Sequence, residues 1–399
     1  MADVPMMRLL ARDAQTIGVH LMAIQPEVRF TADADAKPAL PRLPEYRTKA
    51  VNSWDEFSPL REVIVGDATG ARIPMQTDVS AWLNDYPELS RSEREQVGGR
   101  FPQRVIEETN EDLADLVTTL RDLGVVVHQP PAVDHEQEFG GPGWRSQGRH
   151  SYCPRDVALV IGSTVIETPS PSRARYFELA NMRDLFQDYL ERGAAWLSAP
   201  RPQLRDELYL ADAAGGPALG EAEPAFEAAN VLRLGRDVFY QVSRSGNELG
   251  LRWLQSTLQL IGDIRVHPLR GLYQGTHIDS TICFLRPGLV LLNPERVRPD
   301  TIPEVLRGWD VIWCPPINEP VAPVLSRTLS TPWVGMNLLM ISPHMAIVDG
   351  NQPELIRLLE TKGITVVPRR LRHSRVLGGG FHCVTLDTVR DGGLENYLD

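Results

Sequence analysis

Residues 107–130 read EETNEDLADLVTTLRDLGVVVHQP, and this stretch decides the fold. Its apolar side chains recur at intervals of three and four residues, which predicts an amphipathic helix from about Glu107 to Leu123. Gly124 can adopt the left-handed conformation that ends a helix. Three valines then predict a short strand, which Pro130 closes.

The same order of helix, glycine, apolar run and proline recurs downstream. The four later helices are predicted to end at Gly193, Gly262, Gly308 and Gly363. Two strand-forming runs with a turn residue between them precede each of these helices, which is typical of a hairpin. The first helix follows a single run, Arg61–Gly66, and we expect Cys383–Asp387 near the C-terminus to supply its partner strand.

The repeating unit is therefore ββαβ, taken five times. No such unit buries its own apolar face, so the five should share a core. We predict an α/β fold in the form of a five-fold pseudosymmetric propeller, a closed ring of these units. An ordinary doubly wound sheet is the alternative, but it would link parallel strands through helices without hairpins. Residues 1–47 lie outside the pattern and are interpreted as an N-terminal extension with a linker, and residues 48–399 as a single domain.

The composition of the chain limits the kinds of partner that the protein is expected to bind. The 399 residues include 52 acidic and 41 basic side chains, a net charge of −11. This balance argues against nucleic acid or an anionic membrane as a partner. No run approaches the roughly 18 apolar residues of a membrane span, and the N-terminus lacks the apolar core of a signal peptide. The four cysteines form no Cys-x-x-Cys pair, so we expect a cytoplasmic protein with reduced thiols and no structural metal.

Polar residues occur at the start of the first strand in several predicted units. They are Asp156, Glu227 with Asn230, His277 with Asp279, and Cys383 after three glycines, residues 378–380. In a ring, the first strands line the central axis, so these side chains should converge on one pocket.

Each of these residues also has a simpler interpretation. His277 and Asp279 would share one face of a strand, where they could be surface residues or two ligands of a metal. Cys383 could be a buried apolar residue, although the preceding glycines permit the close backbone approach typical of a reactive atom. A thiol nucleophile, a histidine that moves protons and carboxylates that pair with a planar cation together indicate a guanidinium substrate.

The chain resembles the arginine amidinotransferases in several motifs that occur in the family's order. The motifs are VNSWDEFSPLREVIVG (51–66), PRD (154–156), FEAAN (226–230), HIDST (277–281), NPER (293–296), WVGMN (333–337) and GGGFHC (378–383). Residues 286–296 and 243–250 are most similar to the inosamine-phosphate branch, which builds aminocyclitols. The glycine-using branch is more distant. The resemblance implies the five-fold propeller already predicted from the repeats.

The resemblance also implies a mechanism and the roles of individual residues. Cys383 would attack the guanidinium carbon of L-arginine, and Asp156 and Asp279 would hold the guanidinium nitrogens. His277 would protonate departing ornithine, and an amine acceptor would then take the amidino group in a ping-pong reaction without metal or organic cofactor. Arg296 corresponds to the family arginine that binds the substrate carboxylate. Dimers are common in the family, and this sequence neither supports nor opposes a homodimer.

In the family, an aspartate orients the histidine. This chain departs from the family because it has Glu227 at that position. Related arginine deiminases use glutamate there and hydrolyse the intermediate with water. A hydrolase is therefore the alternative function, and a catalytically silent arginine-binding protein is a third hypothesis that the retained Cys383 and His277 disfavour. The acceptor would be selected by loops, chiefly Phe139–His150 and Arg270–Thr276, which could form a lid.

Overall fold

Five three-stranded sheets of one topology organise the described part of the chain. The computed structural model describes residues 50–84, 86–211, 217–318 and 328–398. The predicted extension, residues 1–47, lies outside the described residues, and all of the described residues belong to a unit that spans Tyr46–Asp399.

Each sheet pairs its first and second strands antiparallel and its second and third strands parallel. We number the sheets as units 1 to 5. Their first, second and third strands are Thr385–Arg390, Leu60–Val65 and Val126–His128 in unit 1; Ala158–Ile161, Thr164–Glu167 and Ala195–Ser198 in unit 2; Val231–Leu234, Asp237–Gln241 and Arg265–Leu269 in unit 3; Ile282–Arg286, Leu289–Leu292 and Asp310–Trp313 in unit 4; Leu339–Ser342, Met345–Asp349 and Thr365–Arg369 in unit 5.

The helices lie between the second and third strands, as the repeat predicts. They are Gln103–Asp122 in unit 1, Arg183–Glu191 in unit 2, Glu248–Ile261 in unit 3 and Pro353–Thr361 in unit 5. Unit 4 has a single 3-10 turn, Glu304–Leu306, instead of the predicted short helix. Short helices also occur at Arg91–Glu95 and Ser374–Leu377. Among the described residues, none of these helices combines the length and the hydropathy needed to cross a membrane.

The C-terminal strand completes unit 1, which confirms the predicted pairing across the length of the chain. It begins two residues later than expected, at Thr385, and pairs antiparallel with Leu60–Val65. The first helix begins four residues earlier than predicted, at Gln103 just after Pro102, because its apolar face continues through Val105 and Ile106. The segment Phe139–His150 is not a plain loop, since Phe139–Gly141 and Trp144–Ser146 form a hairpin. Two further two-stranded antiparallel sheets pair Arg72–Ile73 with Gly99–Arg100 and Tyr209–Ala211 with Pro217–Leu219.

A buried network of arginines and carboxylates ties several units together. Asp387 in the first strand of unit 1 pairs with Arg155, Arg233 and Arg390. Arg233, in the first strand of unit 3, also binds Glu56 at 2.8 Å and the Val160 carbonyl of unit 2 at 3.1 Å. Arg233, Asp387 and Glu56 are almost fully buried. Removing their charges from water is unfavourable, and the many contacts within the network offset this cost.

Candidate active site

The segments that lead into the first strands carry the predicted site residues. Asp156 ends the 3-10 turn Pro154–Asp156 just before unit 2, and Glu227 caps a similar turn before unit 3. His277 and Asp279 precede the first strand of unit 4, and Cys383 precedes that of unit 1. The structure brings these five side chains into two connected groups, one around the thiol and one around the imidazole.

The thiol group centres on Cys383 and Asp279. The Cys383 Sγ lies 3.1 Å from Asp279 Oδ2, and the Cys383 backbone N–H donates to Asn337 Oδ1 at 3.0 Å. The preceding glycines allow this packing: a Cβ at Gly379 would lie 2.6 Å from the Cys153 Sγ and 3.0 Å from the Cys383 Cβ. A larger residue would therefore push apart the two thiols that pack against this glycine.

The surroundings keep Cys383 protonated at neutral pH. A hydrogen bond with the Cys153 thiol, burial and the Asp279 carboxylate all raise the pKa of Cys383 well above its usual range. Cys383 is only 4% exposed. The thiol is therefore shielded from solvent and held in its neutral form, and a nearby positive charge would favour the thiolate.

The imidazole group centres on His277 and Glu227. The His277 Nε2 lies 2.5 Å from Glu227 Oε2, and Ser170 donates to the other carboxylate oxygen of Glu227 at 2.7 Å. Burial alone would lower the pKa of His277, but the Asp156 and Glu227 carboxylates raise it to about 9. His277 is therefore an imidazolium at neutral pH and can donate a proton.

Arg175 bridges the two carboxylates of this group. Its Nη2 lies 2.9 Å from Asp156 Oδ2, its Nη1 lies 3.1 Å from Glu227 Oε2, and its other bonds reach Glu178. Asp156 Oδ1, in contrast, is buried, has no hydrogen-bond partner within the described part of the chain, and lies 3.8 Å from His277 Nδ1. One carboxylate oxygen thus remains available for a cationic donor of hydrogen bonds.

Asp156, Glu227 and His277 each place one ligand atom within 4.8 Å of the others, the spacing of a possible metal site. Arg175 already supplies a buried cation between the two carboxylates, and His277 donates to Glu227. The donor set is thereby engaged as an ion-pair network, and we assign no metal to it.

The strand predicted at His277 and Asp279 is wrong. These residues lie in a turn before Ile282–Arg286, because the backbone N–H of Thr281 and that of Ile282 both donate to the Ile278 carbonyl. Their side chains therefore have different partners, Glu227 for His277 and Cys383 for Asp279.

A cavity of about 70 Å³ opens onto the imidazole group. Asp156, Glu227 and His277 line it together with Arg149 and Thr276, so both predicted loops reach the site. Among the described residues that line it, neither Cys383 nor Asp279 occurs. Arg296 does not line it either: its Nη1 donates to the Oγ atoms of Ser280 and Thr281 at 3.0 Å each.

Sequence reasoning missed several residues that shape the site. His382 was quoted only as part of the GGGFHC motif, yet its ring nitrogens lie 3.0 Å from Asp279 Oδ2 and 3.2 Å from Glu56 Oε2. Its contact with Asp279 is the chief influence that lowers the pKa of that carboxyl against the effect of burial. The roles of Arg175 and Ser170 could not be predicted from sequence spacing. Arg175 contacts Asp156 and Glu227, and Ser170 contacts Glu227, and no repeated pattern relates these positions.

Comparison with known proteins places this site in a family. The chain is 47% identical over 346 residues to inosamine-phosphate amidinotransferase 1 of Streptomyces glaucescens, covering 87% of this chain and 97% of the relative. The chain belongs to the amidinotransferases. This amidinotransferase is also 35% identical to the L-arginine:L-lysine amidinotransferase of Pseudomonas savastanoi pv. phaseolicola, covering 88% and 98% of the two chains.

A solved structure supports the same assignment. The inosamine-phosphate amidinotransferase of Streptomyces griseus superposes with a TM-score of 0.83 at 46% identity, covering 88% of this amidinotransferase and 99% of that chain. No protein-family model matches the sequence.

Proposed function

We propose that this amidinotransferase moves the amidino group of L-arginine to an amine acceptor through a covalent intermediate on Cys383. The observation that carries the proposal is the buried Asp156 Oδ1, which has no hydrogen-bond partner among the described residues and lies 3.8 Å from the His277 imidazolium. A guanidinium is a planar cation with several N–H donors, and this oxygen offers it an acceptor. Asp279, hydrogen-bonded to the thiol, supplies the second carboxylate.

The first half-reaction follows from this arrangement. The Cys383 Sγ attacks the guanidinium carbon, a C–S bond forms, and the bond from that carbon to the side-chain nitrogen of arginine breaks. The thiol loses its proton to solvent as the bound guanidinium favours the thiolate, and the His277 imidazolium delivers its own proton to the departing nitrogen, which leaves His277 neutral as ornithine departs. In the second half-reaction, the acceptor amine attacks the same carbon and gives a proton to the neutral His277; the C–S bond breaks, and the released thiolate regains a proton from solvent.

Donor binding and thiol activation are coupled in this scheme. The pKa of Cys383 is raised partly by Asp279, so the charge of a bound guanidinium would act in the opposite direction and favour the thiolate. Arg296 would hold the donor carboxylate after its guanidinium turns from Ser280 and Thr281.

We further propose an aminocyclitol phosphate as the acceptor. Identity is higher to the inosamine-phosphate enzymes, at 47%, than to the lysine-using enzyme, at 35%. The resemblance to that branch in residues 286–296 and 243–250 points in the same direction. Hydrolysis of the intermediate is the second candidate, because Glu227 replaces the family aspartate.

We also propose that the five units close into a propeller around the buried arginine network. Each sheet is open by itself. Asp387, Arg233 and Arg155 connect units 1, 2 and 3, and Arg390 Nη2 donates to the Met340 carbonyl of unit 5 at 2.9 Å. A crystal structure would test the ring.

Deleting residues 1–47 without loss of activity would support the domain boundary. Light scattering would test a homodimer, and cell fractionation would test a cytoplasmic location.

Intact mass spectrometry after brief exposure to L-arginine tests the chemistry. Wild-type protein should gain the mass of one amidino group and release ornithine, and Cys383→Ala should gain nothing. Persistence of the adduct until an amine is added supports transfer. Rapid loss of the adduct with citrulline appearing would support hydrolysis, and no adduct would contradict both.

A further inference from the structure

We propose that Arg149 forms an anion subsite in the active-site cavity and binds the anionic group of a substrate. The chemistry that it recognises is a carboxylate or phosphate, supplied either by the α-carboxylate of L-arginine, which Arg149 would then bind in place of Arg296, or by a phosphate on the acceptor. This inference rests on the proposed function, because it extends the same site.

Arg149 lies at the right place for such a contact. It is only partly buried and lines the cavity of about 70 Å³ with Asp156, Glu227 and His277. Its Nη1 donates to Asn84 Oδ1 at 2.8 Å, which fixes one edge of the guanidinium. Its Nη2 lies 3.8 Å from where a Cβ at Gly378 would be, beside the glycine segment that leads to Cys383.

The neighbouring Arg72 shows what is unusual about Arg149. Both line the cavity, and the Arg72 backbone N–H donates to the Arg149 carbonyl at 2.6 Å. The Arg72 guanidinium pairs at 2.5 Å with Glu136, a carboxylate that it shares with Arg100, and also donates to Gln147 at 2.9 Å. Within the described ranges, the Arg149 guanidinium forms no ion pair with a carboxylate, and its one hydrogen-bond partner is the neutral amide of Asn84.

The positive charge of Arg149 changes the pKa of a neighbouring histidine. Burial chiefly lowers the pKa of the neighbouring His150 well below its usual range, and the Arg149 guanidinium lowers it further. The chain carries an excess of 11 negative charges, so a guanidinium without a carboxylate partner in a catalytic cavity needs another reason. A guanidinium has five donors in a fixed plane, and the free ones match a carboxylate or phosphate.

The cavity therefore presents complementary charges to a zwitterionic substrate. Asp156 Oδ1 offers a negative group to a guanidinium, and Arg149 offers a positive group to an anion on the same molecule or on the following one. In a ping-pong reaction the two substrates use the cavity in turn, so one arginine can serve either of them.

The test compares wild type with Arg149→Gln and Arg149→Lys, using Arg252→Gln as a matched control on an exposed helix face. The first arm measures the rate of adduct formation with L-arginine and with agmatine, its decarboxylated analogue. The second arm measures the affinity for inorganic phosphate by calorimetry. Thermal melting of each variant shows whether it is folded.

A loss of roughly 10- to 100-fold with L-arginine but not with agmatine in Arg149→Gln, partly restored in Arg149→Lys, would assign the subsite to the carboxylate. A similar loss of phosphate affinity would assign it to a phosphate. Equal losses with arginine and agmatine, or no loss in either arm, would overturn the proposal. An adduct missing from wild type would contradict the proposed function, while the phosphate arm would still decide the subsite.

Discussion

Shortening Glu227 to aspartate should uncouple the imidazole from its carboxylate. The His277 Nε2–Glu227 Oε2 distance is 2.5 Å. Removing one methylene withdraws the carboxylate by about 1.5 Å, which would leave a gap of about 4 Å and no hydrogen bond. A hydrogen bond to a charged group contributes about 1.5–3 kcal/mol, so kcat/KM for adduct formation should fall roughly 10- to 150-fold.

The protonation of His277 gives an independent measure of the same contact. Asp156 and Glu227 raise the pKa of His277 to about 9. A step that needs the imidazolium should therefore keep its rate through neutral pH and lose it as the pH rises through about 9. In Glu227→Gln one raising influence is lost, so this alkaline limb should move to lower pH.

The assay is the pH dependence of single-turnover adduct formation on Cys383 with L-arginine. Glu360→Asp, at an exposed site on the helix of unit 5, controls for the general effect of shortening a glutamate. Wild-type rates in Glu227→Asp together with an unmoved alkaline limb in Glu227→Gln would refute the reasoning. The ratio of citrulline to transferred product in Glu227→Asp would also show whether this residue governs the choice between water and amine.

Three further outcomes are expected from contacts around the thiol and in the core. Cys153→Ala removes a hydrogen bond that raises the pKa of Cys383, so alkylation of Cys383 by iodoacetamide should begin at lower pH than in wild type; an unchanged profile would contradict this contact. Gly379→Ala places a Cβ 2.6 Å from the Cys153 Sγ, and should reduce adduct formation without abolishing folding, as circular dichroism would show. Arg233→Met removes one of the buried cations that pair with Glu56 and Asp387, although Arg155 still contacts both carboxylates. It should lower the free energy of unfolding by about 3 kcal/mol in urea titration, whereas Arg252→Gln should change it by less than about 0.5 kcal/mol.

The fold was predictable from sequence because its signals are local and repeated. The spacing of apolar residues up to Gly124 defines one helix and strand, and the same signal recurs at Gly193, Gly262 and Gly363. Pairing of the C-terminal strand with Leu60–Val65 followed from counting strands, since one unit lacked a partner. The prediction of a helix in unit 4 was wrong, because the short Val305–Leu306 stretch forms only a 3-10 turn.

The sequence predicted that Asp156, Glu227, His277 and Cys383 converge on one pocket because each lies at the start of a first strand. The structure places the first three on one cavity, and Cys383 is not among its described lining residues. That Arg175 would bridge Asp156 and Glu227 was not predictable, because the bridge joins residues with no common period. The position of Cys153 against Cys383 depends on backbone packing across 230 residues of chain, which no local pattern encodes.

The electrostatics of the site suggest why the thiol lies where it does. Burial, Cys153 and Asp279 favour the neutral thiol, whereas catalysis needs the thiolate. Burying a carboxylate beside a nucleophilic thiol is therefore unfavourable for reactivity unless the substrate brings the compensating charge. In the proposed mechanism, a guanidinium held by Asp156 and Asp279 would provide that charge as it presents its carbon to Cys383, so the thiol would be activated only in the presence of its donor. The same coupling protects the free thiol from adventitious electrophiles, because a neutral, 4% exposed sulfur reacts slowly with them.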